Sequence, residues 1–306
     1  MTDQASTLRF IASNAPSLGL FGAETEIALE QTIQPRKKPR YVAITSGKGG
    51  VGKSNLSVNL ALELGALDKK VALLDADFGL ANIDLLLNIS PQFHLGHVVK
   101  GLKDLSDITI DVTENVSLIP SGSGFDDLAN VTLAIHSYLF AKLRAMEQNQ
   151  DFILIDTAAG IAENVAGVVI SAEEVIVVVT PEPTSIVDAY ATIKLILRHS
   201  PGKQISIVVN SVVGVGDAER VFLQIHSAVR GFLGHEIEYL GMIPRDSNVG
   251  EAVREQVPVV QYAPDSPAAR AIRLIAKQFQ NRKTKETDFA VETQSFWEMI
   301  ANNASV

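Results

Sequence analysis

The sequence predicts an α/β fold, a doubly wound and mostly parallel sheet in a single domain, on three observations. Short β-rich runs alternate with amphipathic stretches from Tyr41 onward, a glycine-rich loop directly follows the first run, and two later runs end in aspartate. Alternation of this kind builds βαβ units, and right-handed crossovers wind them into an open sheet whose ligands gather at the carboxyl ends of the strands.

The expected strands, in order, are YVAIT from Tyr41, VALLD at Val71 to Asp75, SLIP at Ser117 to Pro120, FILID at Phe152 to Asp156, VIVVVT at Val175 to Thr180, ISIVVN at Ile205 to Asn210 and YLGMI at Tyr239 to Ile243. Several are apolar nearly throughout, as strands covered on both faces are. Between the fifth and sixth runs, Ile186, Ala189, Tyr190, Ile193, Ile196 and Leu197 recur at helical spacing and predict a helix lying on the sheet. Residues 1–38 show no strand signal and end in the basic run Arg36, Lys37, Lys38, Pro39 and Arg40, so they read as an arm and linker before a domain at 39–283. In the tail, residues 284–306, Phe289, Phe296, Trp297 and Ile300 share one helical face.

Composition narrows the chemistry. The 306 residues are 46% hydrophobic and 20% charged, enough apolar material for a large core. Lys and Arg number 26 against 35 Asp and Glu, a net charge of −9 that disfavours general attraction to nucleic acid or anionic lipid. With no cysteine there is no disulfide, thiolate nucleophile, zinc finger or Cys-ligated iron–sulfur cluster. The most apolar stretch, Val175 to Val179, is too short to cross a bilayer, and the N-terminus lacks a signal-peptide pattern, so a cytoplasmic location is expected.

The segment Ser46-Gly47-Lys48-Gly49-Gly50-Val51-Gly52-Lys53-Ser54 follows a strand and opens a helix, the context of a phosphate-binding loop. Its glycines let backbone N–H groups turn toward a β-phosphate at the helix N-terminus, Lys53 suits the β/γ oxygens, and Ser54 suits Mg²⁺. The candidate nucleotide contacts are Gly47, Gly49, Gly50, Val51, Gly52, Lys53, Ser54 and Asn55. Lys48 is a second fixed cation in the same loop. Crowding it onto the same phosphates is unfavourable, so it is free to reach a neighbouring subunit. Asp75 ends the second strand with Asp77 just beyond it, and Asp156 ends the fourth in the manner of a Walker B carboxylate that holds Mg²⁺. The residues expected at Mg²⁺ from this chemistry are Ser54 and Asp156. Asn210 ends the sixth strand, and Arg245 and Asp246 follow the seventh, where a nucleotide base would lie. His94 and His97 have no carboxylate motif beside them and read as surface or packing groups.

The loop GKGGVGKS at Gly47 to Ser54 resembles the deviant Walker A ATPases of the MinD/ParA group of P-loop NTPases. The resemblance implies ATP and Mg²⁺ as ligands and a dimer formed face to face on ATP, with Lys48 crossing to the partner's nucleotide, a lysine counterpart of the arginine finger. It also implies that Asp77, in DADFGLANID, orients the attacking water, that Asp75 joins Ser54 and Asp156 near Mg²⁺, that Lys48, Lys53 and Asp77 form the catalytic set, and that Asn210, Arg245 and Asp246 line the adenine.

Within that group, Asp3-Gln4-Ala5-Ser6-Thr7-Leu8-Arg9 is similar to the DQAxxLR motif of the FlhG/FleN family of flagellar-number regulators. DADFGLANIDLLL, DTAAGI and PEPTSIVDAY are similar to the same family. The resemblance implies that Asp3, Gln4, Ala5, Leu8 and Arg9 dock on the signal-recognition-type GTPase FlhF and stimulate it. Leu8 would be the apolar anchor, and Gln4 the amide that positions water. Relatives also bind a FleQ-type transcriptional activator, and many carry a membrane-targeting C-terminal helix. Here Glu286, Asp288, Glu292 and Glu298 stand without a Lys or Arg from Glu286 onward, although Lys277, Arg282, Lys283 and Lys285 lie upstream. Lipid-surface helices usually present a basic face, so weak, ATP-dependent membrane or pole association, partner docking and self-packing all stay open for the tail. The competing readings are a partition or division-site ATPase of the ParA/MinD type and a dethiobiotin-synthetase-like ligase. The first of these in its DNA-binding form needs a basic surface, and the second needs a metabolite pocket and has no use for Lys48.

Overall fold

The computed structural model describes residues 38–77, 82–122, 149–160, 165, 168–170 and 172–282, apart from the side chain of Val99. The arm residues Asp3, Gln4, Ala5, Leu8 and Arg9 and the tail, where a helix is expected, lie outside the described residues.

Eight strands are described: β1 (Arg40–Thr45), β2 (Val71–Ala76), β3 (Ile110–Thr113), β4 (Val116–Ile119), β5 (Phe152–Thr157), β6 (Glu174–Val179), β7 (Gln204–Val212) and β8 (Glu238–Pro244). They form one sheet in the order β3-β4-β2-β5-β1-β6-β7-β8, in which only the β3–β4 pairing is antiparallel. All seven expected strands are present. The eighth, β3, is a four-residue edge strand whose burial merely alternates between partial and none.

The helices among the described residues are α1 (Lys53–Ala66), α2 (Ile83–Leu86), α3 (Leu95–Val99), α4 (Leu105–Ile108), α5 (Pro183–His199), α6 (Val215–Leu233), α7 (Ser247–Arg254), α8 (Val259–Tyr262) and α9 (Pro267–Gln280). Alternate residues of each central strand feed opposite cores. On one face Val42, Ile44, Leu73 and Leu154 pack with Leu56, Leu60 and Leu64 of α1 and Ile272, Ile275 and Phe279 of α9. On the other, Ala43, Leu74, Ile155 and Val177 pack with Ala189, Ile193 and Ile196 of α5 and Val221, Ile225 and Val229 of α6. Burial on both faces explains the unbroken apolar runs and makes the fold doubly wound.

The amino ends of the strands are closed by charge. Arg40 belongs to β1 and is 6% exposed, so the basic run read as linker already enters the sheet at this residue. Its guanidinium donates to both oxygens of Glu174, at 2.6 and 2.8 Å, and to the Phe279 carbonyl at 2.9 Å, and it stacks over the Phe279 and Phe152 rings at 4.4 and 4.9 Å. Beside it, Arg282 donates to Ser206 Oγ and pairs with Glu238. Lys203, at the entry to β7, donates to the carbonyls of Ile170 and Ala172, and burial pushes its ammonium down to about 8.

Candidate functional site

The carboxyl ends hold the predicted motif. β1 runs directly into the glycine loop, which is tied down by Gly160 N–H donating to the Ser46 carbonyl at 2.8 Å and Ser46 Oγ donating to the Lys48 carbonyl at 2.9 Å. Two glycines are demanded by space and dihedral. A Cβ on Gly47 would stand 2.3 Å from the Asp188 backbone of α5, and Gly52 has φ of +90° with a Cβ position 2.3 Å from Asn210 Nδ2. The α1 N-terminus carries no side-chain cap and no acidic residue in its first turn, so the helix dipole and its leading N–H groups are left to an external acceptor.

The two strand-end aspartates stand side by side, because β2 and β5 pair with Asp75 opposite Asp156, and β1 pairs Ile44 with Asp156. Asp156 is fully buried. Its Oδ1 accepts from Lys53 Nζ at 2.8 Å and from Ser57 Oγ at 2.7 Å, while Oδ2 is buried without a hydrogen-bond partner. Lys53 Nζ also reaches Ser54 Oγ at 3.2 Å. Asp75 accepts from the backbone N–H of Asp77 at 3.0 Å and of Ile83 at 3.4 Å. Burial is the main cause that pushes the Asp75 carboxyl up to about 7; the Asp77 N–H opposes this and the neighbouring Asp156 adds to it. A buried, orphaned carboxylate oxygen beside a second carboxylate and the Ser54 hydroxyl is an oxygen donor set suited to a hard divalent cation such as Mg²⁺.

Lys48 is arranged differently from Lys53, five residues away. Its ammonium sits on Glu182 Oε2 at 2.6 Å and Thr184 Oγ1 at 3.2 Å, and its side chain is 40% exposed. The two lysines of the loop therefore face different environments, one buried on Asp156 and one at the surface. Ser185 Oγ accepts from Thr180 N–H at 3.0 Å, which fixes the turn from β6 into α5 that presents Glu182 and Thr184.

Asn210 lies against the loop, donating to the Val51 carbonyl at 2.7 Å and accepting from Ser211 N–H. The Asp246 carboxylate, expected near the base, caps α7 through Asn248 N–H at 3.0 Å and also accepts from Ala268 N–H, so both its oxygens serve the fold. The Arg245 side chain is exposed, and its backbone N–H donates to Val212. His94 caps α3 and packs edge-on against His97, a packing role as expected.

Three site residues escaped the sequence reading. Ser57 had a usable signal, since it falls one turn after Lys53 on the same helix face. Glu182 and Thr184 had none, because the turn that brings them to Lys48 is set by tertiary packing.

Comparison with known proteins agrees with this geometry. The ParA family, described as NUBPL iron-transfer P-loop NTPase, matches residues 38–280. The antiactivator FleN of Pseudomonas aeruginosa is 38% identical over 239 residues, covering 78% of this chain and 85% of that protein. The flagellum site-determining protein YlxH of Helicobacter pylori is 32% identical, with 78% of this chain and 80% of that protein covered. Among solved structures, the septum site-determining protein MinD complexed with Mg-ADP from Pyrococcus horikoshii superimposes with a TM-score of 0.66 at 26% identity, spanning 79% of this chain and 96% of that one. With its phosphate loop, its paired strand-end aspartates and these relatives together, the chain belongs to the MinD/ParA family of P-loop ATPases, alongside the FlhG/FleN flagellar regulators.

Proposed function

We propose that this ATPase is a nucleotide-controlled dimerisation switch that regulates flagellar number and placement. The observation that carries the switch is the separation of the two loop lysines. Lys53 is turned inward onto Asp156, whereas Lys48 stands at the surface on Glu182 and Thr184, with its side chain partly exposed. In this reading the N–H groups of Gly49, Gly50, Val51 and Gly52 and the α1 N-terminus hold the phosphates, and Lys53 neutralises the β/γ oxygens. Lys48 crosses to the partner's nucleotide, Asp77 orients the attacking water, and Asn210, Arg245 and Asp246 border the base. Ser54, Asp75 and Asp156 surround Mg²⁺, whose chemistry when bound is to neutralise charge on the phosphate oxygens.

The flagellar assignment rests on the FleN and YlxH relatives and on the DQAxxLR-like arm. The arm engages and stimulates an FlhF-type GTPase, a FleQ-type activator is a second partner, and the ATP form associates peripherally with the inner membrane or the pole.

Molar mass by light scattering tests the switch. The mass should double on replacing ADP by a hydrolysis-resistant ATP analogue, and Lys48→Ala should stay monomeric while still binding nucleotide. Equal masses in the two nucleotides would reject the switch. The arm is tested separately by Gln4→Ala, which should keep ATP turnover and lose stimulation of the GTPase.

A further inference from the structure

Asp156 cannot be oriented by its strand alone. Register fixes its backbone between β1 and β2, but the carboxylate still turns about its side-chain bonds, and the turn decides which oxygen faces the phosphate site. Two donors hold it, both on Oδ1: Lys53 Nζ at 2.8 Å and Ser57 Oγ at 2.7 Å. Ser57 is fully buried in α1, and its single hydroxyl proton has one other acceptor, the Lys53 carbonyl at 3.1 Å. The carboxylate is the closer and the charged acceptor, so it takes the proton.

We infer that Ser57 is a positioning residue, the donor that keeps Asp156 Oδ1 turned into α1 and Oδ2 turned out toward the cation. This rests on the proposed placement of Asp156 at Mg²⁺. The two donors are not equivalent, because Lys53 has a second duty at the phosphates. Whenever its ammonium serves them, a fully buried carboxylate loses its contact cation, and Ser57 is the donor that stays. A hydrogen bond from a neutral hydroxyl leaves the full negative charge on the aspartate, whereas a lysine held permanently there would compete with the metal. Ser57 therefore satisfies one oxygen without spending the charge that the other oxygen needs.

The test reads binding rather than turnover. Affinity of the full-length protein for a fluorescent ATP analogue is measured in EDTA and across a Mg²⁺ titration, for the parent, Ser57→Ala, Ser57→Thr and Asp156→Asn. Ser57→Ala should bind the analogue in EDTA within about twofold of the parent, yet need roughly tenfold more Mg²⁺ to reach half of the metal-dependent gain, the scale of a lost hydrogen bond to a charged group. Ser57→Thr, which keeps the hydroxyl, should return the midpoint toward that of the parent. An unchanged midpoint in Ser57→Ala, or an EDTA affinity that falls in step with it, would overturn the role of Ser57. If Ser57→Ala does not fold, Ser57→Cys, with a weaker donor of similar volume, should move the midpoint the same way by a smaller factor, and an unmoved midpoint there overturns it equally. Asp156→Asn separates the two levels: if its Mg²⁺ response is intact, the placement of Asp156 at the metal fails, and if that response is lost while Ser57→Ala is unaffected, only the Ser57 inference fails.

Discussion

The two ends of the same strands treat buried charge in opposite ways. At the amino end Arg40 meets Glu174 through two hydrogen bonds, gives a third to Phe279, and is sandwiched by two rings, so its principal donors are engaged. At the carboxyl end Asp156 is just as buried but leaves one oxygen unpartnered beside a second carboxylate. Both ends cost desolvation. The closed end recovers it within the chain, and the open end recovers it only when something binds. A saturated buried ion pair is thus a mark of architecture, and a half-saturated one a mark of a site.

Substitutions at the two ends should expose this contrast. The largest expected effect on stability is Glu174→Ala, which strands a buried guanidinium and should lower the unfolding free energy by about 3–5 kcal/mol in urea titrations. The nucleotide affinity of the folded fraction should be unchanged, and a mutant of parental stability would refute the closed-end assignment. Phe279→Ala, removing a fully buried ring from the same cluster, should cost about 3–5 kcal/mol by the same measurement.

Lys203 sharpens the comparison through pH. Its folded pKa of about 8 lies below the value near 10.5 of an unperturbed lysine. Between those values the unfolded chain keeps the proton that the folded chain has released, so this group's contribution makes the protein more stable as pH rises from about 8 to about 10.5. Over the whole window the gain is on the order of 3 kcal/mol, and Lys203→Met, compared with the parent at each pH, should remove it. At the open end the order of effects reverses. Asp156→Asn keeps an acceptor oxygen for Lys53 and Ser57, so it should cost less stability than Glu174→Ala while lowering ATP turnover by roughly 100-fold or more, and a stability loss as large as that of Glu174→Ala would erase the distinction. The smallest change is expected at the exposed Lys48–Glu182 pair, where Glu182→Gln should leave the thermal midpoint within about 2 °C of the parent.

The central fold was legible because its strands are buried on both faces and so write their positions as unbroken apolar runs. β3 was not, since IDVT is short, lies at an edge and is covered on one side at most. The helices α2, α3 and α4, of four or five residues, are too short to show a period. The loop from Gly47 to Ser54 could be read because its chemistry is contiguous in sequence. The contacts that orient it could not: Ser57 meets Asp156 across 99 positions, and Lys48 meets Glu182 across 134. Asp246 carries two signals at once: it follows a strand end, where a nucleotide base would lie, and it stands just ahead of Ser247 and Asn248, where a helix cap belongs, and the capping contacts are present.

The bond from the Arg40 guanidinium to the Phe279 carbonyl joins the first described strand to the last described helix. The same strand and helix also pack together, Val42 and Ile44 against Ile272, Ile275 and Phe279, with the Arg40 guanidinium over the Phe279 ring. Fraying of that last described helix therefore uncovers a buried guanidinium as well as apolar side chains, and carries an electrostatic cost on top of the hydrophobic one.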